Sequence, residues 1–107
     1  MARHQKAIDF ITRAATQDRA ALIARLKAVH DIHAEYAACH IGGARRVGNN
    51  MATVAKRAYE WLGDERQHPK GFAVWAAEET ARLVIVIGAA AKVCDMTLSE
   101  QQGLFDD

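Results

Sequence analysis

Six side chains of the types that bind metal ions lie between residues 30 and 40. They are His30, Asp31, His33, Glu35, Cys39 and His40. Imidazole, thiolate and carboxylate groups are the usual protein ligands of zinc and iron. On a helix, His30 and His33 form one close pair and Glu35 and Cys39 form another. The two pairs point in different directions, however, so they cannot meet at one metal ion. We therefore expect no metal and no cofactor, and a metal- or ligand-binding bundle stays an alternative function.

Motifs typical of enzymes are missing from the sequence. It has no phosphate-binding loop and no Gly-x-Ser-x-Gly elbow, and Glu-x-x-His occurs only at Glu65–His68, in a polar segment. Cys39 and Cys94 are far apart and form no Cys-x-x-Cys pair, which favours reduced thiols in the cytoplasm over a disulfide. We expect a cytoplasmic protein that is not an enzyme.

The C-terminal segment carries one short motif. Gln101, Gln102, Gly103, Leu104 and Phe105 follow one another, and this pentapeptide resembles the peptide by which bacterial proteins dock on the DNA polymerase sliding clamp. The resemblance implies that Gln101 hydrogen-bonds in a polar subsite while Leu104 and Phe105 fill an apolar pocket. That motif commonly has an aliphatic residue where this chain has Gln102. The alternative is a helix C-cap in which Leu104 folds back on the preceding turn.

Residues 44–58 resemble the helix-turn-helix of repressors of the lactose type. Ala44, Gly48 and the pair Thr53-Val54 stand at that motif's alanine, turn-glycine and recognition-helix offsets. The resemblance implies a DNA-binding regulator that uses residues 44–57, with base and phosphate contacts from Arg45, Arg46, Asn49, Asn50, Lys56 and Arg57. Gly43, Asn49 and Arg57 depart from the pattern. The formal net charge of +1 also argues against a polyanion partner.

A different pattern covers the same segment. Apolar residues recur there at alternating steps of three and four: Ala44, Val47, Met51, Val54, Ala58 and Trp61. This spacing places them in one stripe along a helix, with the polar residues on the other side. The stripe predicts a single helix from about Ala44 to Leu62, and it disfavours a turn at Gly48.

Three other helices are predicted around this one. The first runs from Ala2 to about Cys39, with a break near residue 16, where Thr16 followed by Asp18 can cap a new helix. Consecutive glycines at 42 and 43 favour a turn, but the apolar stripe continues in phase across them through His40 and Ala44, so a kinked continuous helix is the alternative. Residues 64–71 are polar and indicate a loop, and a further helix is predicted from Phe72 to Val93. The β-branched residues within 83–87 would also suit a strand, but no other segment is predicted to pair with it. Thr97 and Glu100 fit a capping box that starts a short last helix.

These elements predict an all-α bundle of three main helices and a short C-terminal one, with a bundle domain at 1–100 and a tail at 101–107. The apolar run at 83–91 is too short to cross a bilayer, so we expect no membrane contact. Because the third helix is apolar on every face there, we expect a homodimer that completes the core.

The function predicted is non-catalytic protein–protein interaction. Small, alanine-rich helical proteins without a catalytic site often act as adaptors or as phage-type inhibitors of host machinery, such as anti-CRISPR proteins. By this analogy alone, the chain would have such a role and would come from a bacterium or a phage. Its partner would be the sliding clamp or another host protein. Trp61 and Trp75 bracket the 63–71 loop with Phe72, where they either pack together or anchor a partner. Predicted partner-binding residues are Gln101, Leu104, Phe105, Trp61 and Trp75.

Overall fold

A computed structural model describes residues 3–105, and this part of the chain is helical with no strand. The helices are α1 (Gln5–Gln17), α2 (Arg19–Ala38), α3 (Gly42–Gly63), α4 (Pro69–Ala77), α5 (Thr80–Val93) and α6 (Leu98–Gly103). The all-α prediction is confirmed. The predicted helix start at Ala2 and the tail residues Asp106 and Asp107 lie outside the described residues.

The predicted break in the first helix falls at Asp18. Its Oδ1 accepts a hydrogen bond from the backbone N–H of Ala21 at 3.0 Å, which caps the N-terminus of α2. Thr16 takes no part, because its hydroxyl donates back to the carbonyl of Thr12. A short acceptor side chain before a helical pattern thus marks this boundary correctly.

Helices α2 and α3 form a long hairpin, joined by a short turn that ends at Gly42. Gly42 has a φ of +64°, a left-handed conformation that favours glycine, and α3 starts there. Along the hairpin the two helices approach closely at Gly48. A Cβ at that position would lie 3.0 Å from the Cβ of Ala37 and 3.1 Å from the carbonyl oxygen of His33. The absence of a side chain at Gly48 therefore allows α2 and α3 to pack closely.

The turn that a helix-turn-helix would place at Gly48 is wrong, whereas DNA binding by residues 44–57 stays a prediction. Helix α3 runs without interruption from Gly42 to Gly63, so no turn exists at Gly48. The buried side of α3 is also rotated from the predicted stripe. Its buried residues are Gly48, Ala52, Ala55, Ala58 and Leu62, of which the stripe contained only Ala58.

The predicted helix from Phe72 to Val93 is two helices. Helix α4 begins earlier, at Pro69, because proline suits the first turn and the Nδ1 of His68 accepts the N–H of Lys70. The chain then breaks at Glu78–Glu79, where Glu79 is extended with φ −139° and ψ 130°. Helix α4 packs mainly on α1, whereas α5 also packs on α2 and α3. The two helices thus pack against different sets of neighbours.

The core surrounds α5. Helices α1, α2, α3 and α4 all contact it, and they bury Leu83, Val86 and Ile87 almost completely. The apolar run that favoured a homodimer is therefore largely covered within one chain, and the dimer stays a prediction. Residues 3–105 contain no helix with both the length and the apolar character needed to cross a bilayer.

Candidate partner-binding groove

An open groove runs along one flank of α3, where this helix faces the start of α5. We call it the α3 groove. It encloses about 480 Å³ and is lined by Val47, Asn50, Met51, Thr53, Val54, Arg57, Glu79 and Ala81. Three of these residues belong to the apolar stripe predicted from the sequence. The stripe is thus covered at Ala58, which is fully buried, and open at Val47, which is 57% exposed.

A second cleft continues the α3 groove toward the end of α3. We call it the aromatic cleft. It encloses about 560 Å³ and is lined by Arg57, Glu60, Trp61, Trp75 and Arg82. Arg57 lines both cavities, so the two form one surface.

The aromatic residues around the α3–α4 loop pack together, as one of the two sequence interpretations proposed. The ring centroid of Trp61 lies 6.0 Å from those of Phe72 and Trp75, and Phe72 and Trp75 are 5.9 Å apart. Phe72 is fully buried, whereas Trp61 and Trp75 are half-buried. The two indoles therefore stabilise the hairpin end and still present surface to the cleft.

Arg82 fixes the wall of the cleft at the α4–α5 junction. Its Nε lies 3.1 Å from Oε2 of Glu79 and its Nη1 lies 3.6 Å from Oε2 of Glu78. Its guanidinium carbon lies 4.7 Å from the ring centroid of Trp75, a distance typical of a cation–π contact. Arg82 thus has its charge compensated and its position held.

Arg57 differs from Arg82 in having no such partner. No hydrogen bond or ion pair joins its guanidinium to another residue of the part of the chain described, although it lies between the α3 groove and the aromatic cleft. Two acidic residues line these cavities: Glu79 is paired with Arg82, and Glu60 lines the aromatic cleft with Arg57 but forms no ion pair with it. Arg57 is therefore positioned to meet a carboxylate from outside the chain.

The six residues predicted to contact DNA are all exposed on α3, and DNA contact by them stays a prediction. Arg45 donates from Nε to the carbonyl of Ala37 at 3.1 Å and so caps the C-terminus of α2. Asn50 and Arg57 line the α3 groove. Arg46, Asn49 and Lys56 are exposed on α3 and line neither cavity.

The predicted clamp-docking residues lie at the other end of α5. Gln101 is inside α6, and Leu104 packs against the hydrophobic core. Phe105 is 38% exposed. The structure therefore brings Trp61 and Trp75 together, and it does not bring the three tail residues to them.

The residues of the 30–40 segment have local contacts. His30 pairs with Asp31 at 3.0 Å, and His40 stacks on Tyr36 at a centroid distance of 3.9 Å. Within residues 3–105, no three His, Cys, Asp or Glu side chains are grouped so that they could hold a metal ion. Cys39 and Cys94 are both free and exposed.

Comparison of the chain with known protein families, curated proteins and solved structures found no match. Sequence reasoning missed that Arg57 and Arg82 flank the tryptophans. One signal was present, since Arg57 and Trp61 are four residues apart and so share a helix flank.

Proposed function

We propose that this chain is a non-catalytic protein–protein interaction module, and that the α3 groove with the aromatic cleft is its binding surface. The observation that carries the proposal is that three residues of the apolar stripe line an open cavity. Val47, Met51 and Val54 line a cavity that continues into the tryptophan pair. Exposed apolar surface next to half-buried aromatic residues is typical of sites that bind another protein.

The chemistry of the surface indicates the partner segment. Its apolar side chains would lie against Val47, Met51 and Val54, where burial removes apolar surface from water. Its acidic side chain would meet the unpaired guanidinium of Arg57. We infer a segment with one apolar face and one acidic face, such as an amphipathic helix lying along α3. The module would act by holding or blocking that partner, as an adaptor or an inhibitor.

The C-terminal tail is a weaker candidate for docking. For Gln101, Leu104 and Phe105 to enter a pocket on a sliding clamp, Leu104 would have to leave the core and the last turn of α6 would have to open. This opening adds an ordering cost to binding. The resemblance to the clamp-binding peptide stays a prediction that the same experiment tests.

The experiment is a quantitative pull-down from bacterial lysate with four forms of the chain. Val47→Glu places a charge in the α3 groove at an exposed position. Asn49→Glu places the same charge on the same helix outside the groove, and so is the matched control. The other forms are the unchanged chain and a truncation that ends at Glu100.

We expect one partner that the unchanged chain and Asn49→Glu retain equally and that Val47→Glu loses at least tenfold. Circular dichroism should show the same helix content and melting temperature for both variants, because both positions are exposed. A partner lost only on truncation would instead support the tail. Equal retention by all four forms would contradict both docking sites.

A further inference from the structure

A smaller pocket lies at the opposite end of α5, between α2, α5 and α6. It encloses about 260 Å³, below the usual range of about 300 to 1,000 Å³ for drug-sized ligands. Arg25 and Val29 line it from α2, Ile85 and Lys92 from α5, and Gln101 from α6. Neither the proposed binding surface nor the aromatic cluster includes any of these residues.

Arg25 is the first reason to assign a ligand to this pocket. Its Nε is shielded from solvent, and no acceptor in the described part of the chain receives its hydrogen. A buried donor without an acceptor is costly, although the Arg25 side chain as a whole is only partly buried. A leucine or methionine would fill this flank of α2 without that cost, so the arginine needs another explanation.

The charge of the lining is the second reason. Lys92 adds another cation, and no Asp or Glu within residues 3–105 lines the pocket. Neither Arg25 nor Lys92 forms an ion pair with a described residue. Two uncompensated cations beside one cavity attract an anion, and the planar guanidinium can bind a carboxylate through two parallel hydrogen bonds.

The rest of the lining selects the kind of anion. Val29 and Ile85 give the pocket an apolar side, and a Cβ placed on Gly88 would meet no atom within 4 Å, so that side is open. A fully hydrated ion such as phosphate gains nothing from these walls, whereas an alkyl chain does. We propose that this pocket binds a small carboxylate with a short apolar chain, its carboxylate between Arg25 and Lys92.

Binding there would also stabilise the end of the chain. Gln101 belongs to α6, whose contacts with the rest of the bundle are few and involve α5. A ligand that contacts the Gln101 amide as well as Arg25 links α6 to α2. We therefore expect the ligand to reduce opening of α6, measurable as slower amide hydrogen exchange at residues 101–104.

The test uses hexanoate as the probe, with hexanol and inorganic phosphate as comparison ligands at constant ionic strength. Chemical-shift titration of the folded chain by NMR follows the amides of Val29, Gly88 and Gln101. We expect saturable shifts with hexanoate, and no saturation with hexanol or phosphate. Equal binding of hexanol would show that the carboxylate is not recognised, and saturation by phosphate alone would contradict the apolar part of the proposal.

Variants assign the binding to the two cations. Arg25→Leu and Lys92→Gln should each weaken hexanoate binding at least tenfold, whereas Arg46→Gln, an exposed control on α3, should leave it unchanged. Without ligand, Arg25→Leu should melt at a higher temperature than the unchanged chain, because it removes a buried donor without an acceptor. Unchanged hexanoate affinity in Lys92→Gln, which alters an exposed side chain, would overturn the proposal even if Arg25→Leu failed to fold.

Discussion

The guanidinium carbon of Arg82 lies 4.7 Å from the centroid of the Trp75 ring, across the break between α4 and α5. The same side chain pairs with Glu78 and Glu79, which form the break itself. One arginine therefore connects the end of α4, the start of α5 and the aromatic cleft. The local order of the proposed binding surface depends on it.

Arg82→Ala should lower the free energy of unfolding by about 1 to 2 kcal/mol, since it removes a cation–π contact and two partly exposed ion pairs. Arg82→Lys should recover part of this loss, because lysine keeps the charge but not the planar stacking. Urea denaturation followed by circular dichroism measures both variants. Equal stability of Arg82→Ala and the unchanged chain would show that the junction is held by other contacts.

Gly48→Ala should destabilise the chain by about 1 to 3 kcal/mol, because the added methyl group would overpack the α2–α3 contact. Two of the three atoms that it would meet are backbone atoms of α2, at 3.1 Å, and these cannot rotate away. The gain in helix propensity is about 1 kcal/mol and does not offset this.

Gly88→Ala is the matched control for Gly48→Ala. It lies inside α5, and its added Cβ meets no atom within 4 Å. We expect a stabilisation of about 0.5 to 1 kcal/mol from the lower entropy of the unfolded chain and the better helix propensity. If both substitutions stabilise the chain, the hairpin is packed less tightly at Ala37 than the structure indicates.

Arg19→Ala should cost about 2 kcal/mol of stability. The Arg19 side chain donates to the carbonyl oxygens of Leu62, Asp64 and Gln67 at 2.7 to 3.1 Å, and so it caps the C-terminus of α3. Arg66→Ala is the control, because Arg66 is 90% exposed and its pair with Asp64 contributes little. Thermal melting of the two variants should differ clearly, and equal losses would contradict the capping role of Arg19.

The Asp64–Arg66 pair predicts one pH effect. Side-chain and backbone hydrogen bonds from Arg66 hold the pKa of Asp64 below its ordinary value of 3.8. The contribution of this carboxylate to stability is thus present above pH 3.8 and is lost as the pH falls through the lower pKa of the folded chain. An NMR titration should show the pKa of Asp64 rising toward its ordinary value in Arg66→Ala. An unchanged pKa would mean that Arg66 does not hold the carboxylate.

Much of the helical architecture could be predicted from local signals. Asp18 caps α2 as predicted, and Thr97 with Glu100 forms the capping box that starts α6. Both depend only on residues within one turn of each other. The break at Glu78–Glu79 was missed because no glycine or proline marks it, and it depends on what α4 and α5 pack against.

The buried side of α3 could not be assigned for a related reason. Alanine is small enough for a packed interface, and it occurs on several sides of this helix. The pattern of Ala52 and Ala55 therefore did not identify the buried side, whereas the larger Val47 and Val54 indicated a different one. The large residues were taken as the core; Met51 and Val54 pack only at its edge, and together with the exposed Val47 they line the α3 groove. Packing of the tryptophans was one of two predictions, because Trp61 and Phe72 flank one short loop. The position of Arg25 in a pocket depends on three helices and has no local signal.

The central claim is that the α3 groove binds a partner protein, and site-specific photo-crosslinking tests it most directly. A benzophenone amino acid is placed at Val47 in the groove, at Asn49 outside it on the same helix, or at Phe105 in the tail, and cells producing each form are irradiated. We predict one discrete covalent adduct from Val47 that is absent from Asn49 and Phe105. An adduct from Phe105 alone, or no adduct from Val47, would contradict the claim.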